Sequence, residues 1–224
     1  HNIPIQLCMA LPSDFMVSLE LSTVTNYRAS TDYAFSGGNF DVGGSAVLGL
    51  TLGIRPSKDN FCTTRPESAA ATGRPWGPHQ NPGSDCDLNA LIATLSTGPF
   101  GIADKAGATN KTLVLRACRP DGLIIQPDRP ATYIDAMVDD GTWLGAENNF
   151  SHRTGQQPTH GHVWSTVATV GRSTHHYVLS IDLNWPWHLS ATDLHPTPTL
   201  SGTSYFVSHC WSRPCVAGAA AVAS

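Results

Sequence analysis

The fold is decided by residues 3 to 28, IPIQLCMALPSDFMVSLELSTVTNYR, in which two strand-like runs enclose a helical pattern. Residues 3 to 9 are mostly apolar, and residues 23 to 28 combine β-branched, polar and aromatic side chains, as strands often do. Between them, Ser13 to Leu21 carries apolar side chains four residues apart, which is typical of one face of a short helix. The order strand, helix, strand predicts a βαβ unit with parallel strands.

Further helical patterns follow the βαβ unit. Residues 43 to 54, GGSAVLGLTLGI, form an apolar segment of helical length, and its glycines favour close packing on a neighbour. Residues 65 to 86 are rich in proline and glycine, which predicts a long insertion or lid. Thr109 is a candidate cap for a helix that ends at Cys118. The clearest helix begins after Ser84 and Asp85 and has apolar residues at i, i+3, i+4 and i+7, namely Leu88, Leu91, Ile92 and Leu95.

The pattern changes after Asp135. From there on, β-branched or aromatic runs alternate with turn residues; the runs are Trp164 to Val170, His176 to Leu183, Tyr205 to Ser208 and Cys215 to Val222. We therefore predict an α/β region over residues 1–135 and an antiparallel all-β domain over residues 136–224.

Composition excludes several classes of protein. Of 224 residues, 17 are acidic and 13 basic, so the net charge is -4, and the basic residues are scattered. Such a charge distribution offers no footprint for nucleic acid. No apolar run reaches the roughly 20 residues that cross a bilayer. We expect a globular chain with no nucleic-acid or membrane partner and no cofactor.

The cysteines and two sequons indicate a secreted or lumenal protein. Cys210 and Cys215 are close enough in sequence for a tight disulfide loop, and Cys62 and Cys86 bracket the Pro/Gly-rich segment as a second candidate pair. The N-glycosylation sequons begin at Asn110 and Asn149. The chain begins at His1 and enters a strand-like run at once, so we interpret it as a processed fragment.

Arg28 and Asp32 lie four residues apart in a polar turn that follows the strand at residues 23 to 28. One interpretation is a surface ion pair that closes a loop, worth about 0 to 1 kcal/mol. The other is that the arginine holds a substrate hydroxyl while the carboxyl group faces the ligand. The choice between them depends on the motifs that surround the pair.

Five sequence motifs occur in the same order as the motifs of a known family. They are Cys8-Met9, Arg28-Ala29-Ser30-Thr31-Asp32, Pro56-Ser57-Lys58-Asp59-Asn60-Phe61, Ser96-Thr97-Gly98-Pro99-Phe100 followed by Asp104, and Asp121-Gly122 through Pro127-Asp128-Arg129-Pro130. On these motifs, residues 3 to 135 resemble raffinose-synthase-like α-galactosidases. The family usually has Ser-Asp-Asp where this chain has Ser30-Thr31-Asp32, and Pro-Asp-x-Asp where it has Pro56 to Asp59. The second difference removes a sugar-binding carboxylate.

The resemblance implies the C-terminal half of a (β/α)8 TIM-type barrel over residues 1–135, followed by the start of a β domain. It also implies retaining hydrolysis or transfer of an α-galactosyl unit by two carboxyl groups about 5 to 5.5 Å apart. Asp32 matches the general acid/base, and Arg28 matches a residue that binds sugar hydroxyls. Asp59 and Asp104 are further candidates for sugar contacts.

The nucleophile of that family is an aspartate on an earlier barrel strand, typically in Lys-x-Asp, and no residue before Arg28 supplies it. A half barrel also leaves sheet edges and part of its core exposed. We therefore expect a second chain that completes the barrel and brings the nucleophile. Without that partner, the chain should not hydrolyse a galactoside.

Two other interpretations remain open at the level of sequence. The first is a catalytically degenerate, lectin-like or structural protein, in which Trp76, Trp185 and Trp187 could stack on sugar rings. The second is a histidine metal site at His152, His160, His162, His175 and His176. Adjacent residues of a strand point to opposite faces, so His175 and His176 cannot both face one metal, and we predict no metal site.

Overall fold

The computed structural model describes residues 3–8, 10, 12–30, 41–64, 86–139, 162–181 and 188–198, together with two short strands near the carboxyl terminus. Its helices are α1 (Pro12–Ser18), α2 (Asp41–Leu52), α3 (Cys86–Leu95), α4 (Lys111–Val114) and α5 (Asp135–Asp139). Its strands are β1 (Ile5–Leu7), β2 (Val24–Arg28), β3 (Arg55–Ser57), β4 (Thr132–Tyr133), β5 (His162–Val170), β6 (Ser173–Ile181), β7 (Phe206–Val207) and β8 (Ala219–Ala220).

The amino-terminal strands form a parallel sheet in sequential order, β1-β2-β3. Tyr27 lies opposite Leu7 on one side and Pro56 on the other. Helix α1 connects the first two strands and α2 lies between the second and third, so the predicted βαβ unit is confirmed. A parallel bridge between Phe61 and Ile102 extends the same pattern beyond β3.

The helix predicted from Thr109 to Cys118 is shorter than expected. Helix α4 spans only Lys111–Val114, and its cap is Asn110, whose side chain accepts a hydrogen bond from the backbone N–H of Leu113. The chain then turns, because Cys118 bridges Ile124 in an antiparallel pair and the backbone N–H of Ile125 donates to the carbonyl of Ala117. These contacts between neighbouring backbone groups replace the last helical turns.

Strands β4, β5 and β6 form an antiparallel sheet, as the sequence after Asp135 predicts. The β5–β6 hairpin turns at Gly171, whose φ of 62° lies in the left-handed region that favours glycine. Strand β4 precedes residue 136, yet Tyr133 pairs with Trp164 of β5. The antiparallel sheet therefore begins within the region predicted as α/β, and the division at residue 135 stays a prediction.

One hydrophobic cluster packs the two sheets together. Trp164 of β5 is 1% exposed and faces α2 so closely that a Cβ placed on Gly43 would lie 2.3 Å from its ring. Tyr27 of β2 packs edge-on against Phe15 of α1, with the ring centroids 4.6 Å apart. Burying aromatic side chains stabilises a domain by several kcal/mol in total, about 1.5 to 3 kcal/mol each. The parallel sheet and the antiparallel sheet therefore share one hydrophobic core.

Candidate active site at the carboxyl edge of the parallel sheet

Polar residues collect where the parallel strands end. Arg28 is the last residue of β2, Lys58 and Asp59 follow β3, and Asp104 follows the bridge residue Ile102. Parallel strands present their carboxyl ends at one edge, so residues separated by up to 76 positions in the chain are brought to the same side of the sheet. This edge is where open and closed parallel sheets usually bind ligands.

Arg28 and Asp59 form an ion pair across adjacent strands. Arg28 Nη1 lies 3.2 Å from Asp59 Oδ2, and the two side chains are 11% and 24% exposed. The backbone N–H of Asp59 also donates to Ser30 Oγ at 2.7 Å, which fixes the turn after β3 against the turn after β2. The structure therefore brings together two of the residues that the sequence proposed as sugar contacts.

Side-chain hydrogen bonds of Ser57 and Gln6 connect the three parallel strands. Ser57 Oγ donates to the carbonyl of Tyr27 at 3.0 Å and accepts from Gln6 Nε2 at 3.3 Å. These bonds join β1, β2 and β3. Ser57 is 1% exposed, so its hydroxyl acts within the sheet.

Asp104 has a different environment from Asp59. Its carboxylate accepts from the backbone N–H of Thr63 at 2.8 Å and from Thr63 Oγ1 at 2.6 Å. Thr63 Oγ1 in turn accepts from the backbone N–H of Asn110 at 2.7 Å. Asp104 therefore joins two loops, and the contacts that the structure describes hold its oxygens to Thr63.

Replacing Asp104 with alanine should lower the free energy of unfolding by about 1 to 3 kcal/mol, because the buried N–H of Thr63 loses its acceptor. Urea denaturation followed by circular dichroism measures this change. The control is Asp121→Ala, which removes a carboxylate that is 56% exposed in its pair with Arg119 and should cost about 0 to 1 kcal/mol. Equal losses in the two variants would contradict the joining role of Asp104.

Lys58 is the residue at this edge that the sequence did not single out. It is only 3% exposed, and its Nζ lies 5.8 Å from the centroid of the Phe61 ring. Burial lowers the pKa of Lys58 to about 7, although the nearby Asp59 carboxylate acts in the opposite direction. Strand alternation does not predict this burial. Ser57, the last residue of β3, is buried, so alternation would direct the next side chain, Lys58, away from the core, yet Lys58 is buried as well.

The candidate disulfide between Cys62 and Cys86 is not formed. The structure describes Cys8, Cys62, Cys86 and Cys118, and in it these four are thiols. Cys62 Sγ is directed at the carbonyl of Ala103, 3.7 Å away, whereas Cys86 begins α3 and packs in a cluster with Phe61. Both side chains are buried.

Several predicted residues fall outside the described part of the chain, and their roles stay predictions. They are the acid/base candidate Asp32, the sequon residue Asn149, the cysteines Cys210 and Cys215, the tryptophans Trp76, Trp185 and Trp187, and the histidines His152 and His160. The other sequon residue, Asn110, is exposed and caps α4.

The histidines of β6 belong to no metal-binding cluster among the described residues. His175 and His176 are neighbours on β6, opposite Ala168 and Val167. Burial and the nearby Arg129 lower the pKa of His176. Among the residues that the structure describes, no group of three or more His, Cys, Asp or Glu side chains could hold a metal ion.

Comparison of the chain with models of known protein families, with curated proteins and with solved structures gives no match. Within the described ranges, no helix combines the length and the apolar character that crossing a bilayer requires.

Proposed function

We propose that this chain supplies the acid/base half of a retaining glycoside hydrolase that acts on α-galactosides. The observation that carries the proposal is the Arg28–Asp59 pair at the carboxyl edge of the parallel sheet. A guanidinium group donates several hydrogen bonds in one plane, and a carboxylate accepts several. Together they can bind neighbouring hydroxyl groups of a sugar ring, and their partial burial strengthens such charge-assisted bonds.

The sheet topology supports the same proposal. In a (β/α)8 barrel each strand pairs with the strand that precedes it in sequence, with helical crossovers between them. The order β1-β2-β3, continued by the Phe61–Ile102 bridge, has this sequential character. Asp32, two residues beyond Ser30 in the chain, is the acid/base of the proposal. A second chain would complete the barrel and provide the nucleophilic aspartate.

A second candidate function is galactoside binding without hydrolysis. It is favoured by the described contacts of Asp59, because this carboxylate is held in an ion pair with Arg28. Carboxylates in fixed polar contacts suit hydrogen bonding to sugar hydroxyls, whereas an acid/base group must exchange a proton during the reaction. The two functions share the same sugar-binding edge and differ in turnover.

Calorimetric titration with galactose tests the sugar-binding edge in the native assembly that contains this chain. Asp59→Asn should weaken galactose binding about 10- to 100-fold, since a hydrogen bond to a charged group is worth about 1.5 to 3 kcal/mol. Asp121→Asn, at the exposed pair with Arg119, is the matched control and should leave affinity unchanged. Equal affinity in both variants would contradict the site, as would a wild-type assembly that fails to bind galactose.

Turnover of a nitrophenyl α-galactoside then separates the two functions. The hydrolase proposal expects release of nitrophenol by the native assembly, and it expects Asp32→Asn to abolish most of that release while galactose binding persists. Binding without any turnover by the wild type would favour the lectin-like function. Mass spectrometry of the native material checks the partner, because a single polypeptide of 23.8 kDa would contradict the second chain.

A further inference from the structure

Two exposed apolar surfaces of opposite charge lie at the two ends of the parallel sheet. The first, which we call the acidic surface, surrounds β1 and α1. Its apolar residues are 42% to 68% exposed, and they are Ile3, Ile5, Met16, Val17, Leu19 and Leu21. The backbone N–H of Ile5 donates to the carbonyl of Thr23 at 2.8 Å, so β1 lies beside the turn that follows α1. In the described sheet β1 pairs with β2 alone, which leaves its other side as an edge.

Carboxylates give this surface its charge. Asp14 and Glu20 are exposed, and residues 3 to 27 contain no lysine or arginine, so this segment has a net charge of -2. Glu20 lies between Leu19 and Leu21 in the sequence, which places a carboxylate next to exposed apolar side chains. Clustered apolar side chains with a polar rim are typical of surfaces that bind another protein. A partner that fits this surface combines apolar side chains with lysine or arginine.

The second surface, which we call the basic surface, lies at the opposite end of the sheet from β1. Its apolar residues are 38% to 58% exposed, and they are Ile102, Leu115, Leu123, Ile124 and Ile125. Ile102 bridges Phe61, beyond β3 in the order of the strands. The side chain of Gln126 donates to the carbonyl of Gly98 at 2.7 Å, which holds residues 123 to 126 beside the segment that leads to Ile102.

Lysine and arginine give the basic surface the opposite sign. Residues 99 to 126 contain four lysines and arginines against two aspartates, a net charge of +2. Both arginines are in ion pairs with aspartates, whereas the lysines, Lys105 and Lys111, are exposed. Lys105 follows Ile102 by three residues, and Lys111 is one helical turn before Leu115, whose backbone N–H donates to its carbonyl. A partner that fits this surface combines apolar side chains with carboxylates.

We propose that the second chain of the assembly docks on both surfaces, with an apolar, basic segment against the acidic surface and an apolar, acidic segment against the basic surface. This inference rests on the proposed function, in which a second chain completes the barrel. Closing a sheet into a barrel joins its two edges through the added strands, so one partner meets both ends of the sheet. The opposite charges select one orientation of the partner, because the reversed orientation places like charges together.

A second copy of this chain also presents an acidic and a basic surface. No residue before Arg28 matches the nucleophilic aspartate, so a second copy would not bring the group that the proposed hydrolysis requires. The proposal therefore commits to a different polypeptide, and the experiment separates the two occupants.

Zero-length cross-linking of the native assembly tests this docking. Carbodiimide joins a carboxylate to a lysine amine in direct contact, and peptide mass spectrometry identifies the two residues. We expect Glu20 to be linked to a lysine of the second polypeptide, and Lys105 or Lys111 to be linked to one of its aspartates or glutamates. Links of these residues only within this chain, or only between two copies of it, would overturn the proposal. Their absence in an assembly whose two polypeptides are linked elsewhere would also overturn it.

Charge reversal provides an independent measurement. Glu20→Lys should raise the dissociation constant of the assembly at least about 10-fold at low salt, because it places like charges across the contact. The difference should shrink as salt is added, since salt screens exposed charges. Arg172→Glu, in the exposed turn between β5 and β6, lies outside both surfaces and should assemble like the wild type. Equal dissociation constants for the two variants would contradict the docking.

Failure of this inference is distinguishable from failure of the proposed function. Native material that contains one polypeptide alone contradicts both. A second polypeptide that contacts this chain elsewhere overturns the docking and leaves the hydrolase proposal in place. Docking at both surfaces without release of nitrophenol from the galactoside supports the docking and contradicts hydrolysis.

Discussion

Replacing Trp164 with alanine should lower the free energy of unfolding by about 3 to 5 kcal/mol. The indole is 1% exposed and lies in the cluster that joins the antiparallel sheet to α2 and the parallel sheet. Its removal leaves a cavity that the neighbouring backbone elements cannot fill by small shifts. Urea denaturation followed by circular dichroism measures the loss of stability. If the alanine variant does not fold, Trp164→Phe replaces it in the test and should give a smaller loss.

Gly43 provides the matched test of this contact. In an exposed helix, replacing glycine with alanine stabilises by about 1 kcal/mol. At Gly43 the sign should reverse, because the new Cβ would meet the Trp164 ring at 2.3 Å, and overpacking costs about 1 to 3 kcal/mol. In a Trp164→Ala background the cost of Gly43→Ala should fall by at least about 1 kcal/mol. Additive effects of the two substitutions would contradict the close packing of α2 on β5.

Lys58 should make the stability of the protein depend on pH above neutrality. Burial lowers its pKa to about 7 in the folded chain, whereas an unfolded chain has a lysine pKa of about 10.4. Below pH 7 both states are protonated, and the folded state carries the full cost of the buried charge. Between about pH 7 and pH 10 the unfolded state binds the additional proton, so this contribution to stability rises by about 1.4 kcal/mol per pH unit.

The comparison of wild type with Lys58→Met isolates this contribution. The methionine variant should be the more stable protein at pH 6, and its advantage should shrink by about 2 to 3 kcal/mol by pH 9. Lys105→Met, which alters an exposed lysine, is the control and should follow the wild type at both pH values. Denaturation curves at the two pH values provide the measurement, and a Lys58→Met advantage that does not change with pH would contradict the buried charge.

Local periodicity predicted the elements that repeat an apolar pattern. The βαβ unit over residues 3 to 28 is present, and α3 buries Ile92 while Leu88 and Leu95 pack against the core. The hairpin of β5 and β6 follows from β-branched runs separated by Gly171. These predictions succeed because helix and strand formation depends on which side chains share a face, and the spacing of neighbouring residues determines which side chains do so.

The candidate site was predicted less completely. The sequence proposed Arg28 and Asp59 as separate sugar contacts, and the structure joins them in an ion pair across thirty-one positions of the chain. The sequence also proposed Asp104 as a sugar contact, while its described oxygens are bonded to Thr63. Neither contact can be predicted from the residues near it in sequence, because the pairing of distant segments decides which side chains meet.

Residue spacing along the chain was enough to predict the βαβ unit, helix α3 and the β5–β6 hairpin. The pairing of Arg28 with Asp59, the close contact of Trp164 with Gly43 and the burial of Lys58 all depend on packing between distant parts of the chain. This difference arises because local conformation and burial depend on different sets of residues. Backbone conformation responds to neighbours a few residues away, but burial and the pKa of an amine respond to every group that excludes water from it.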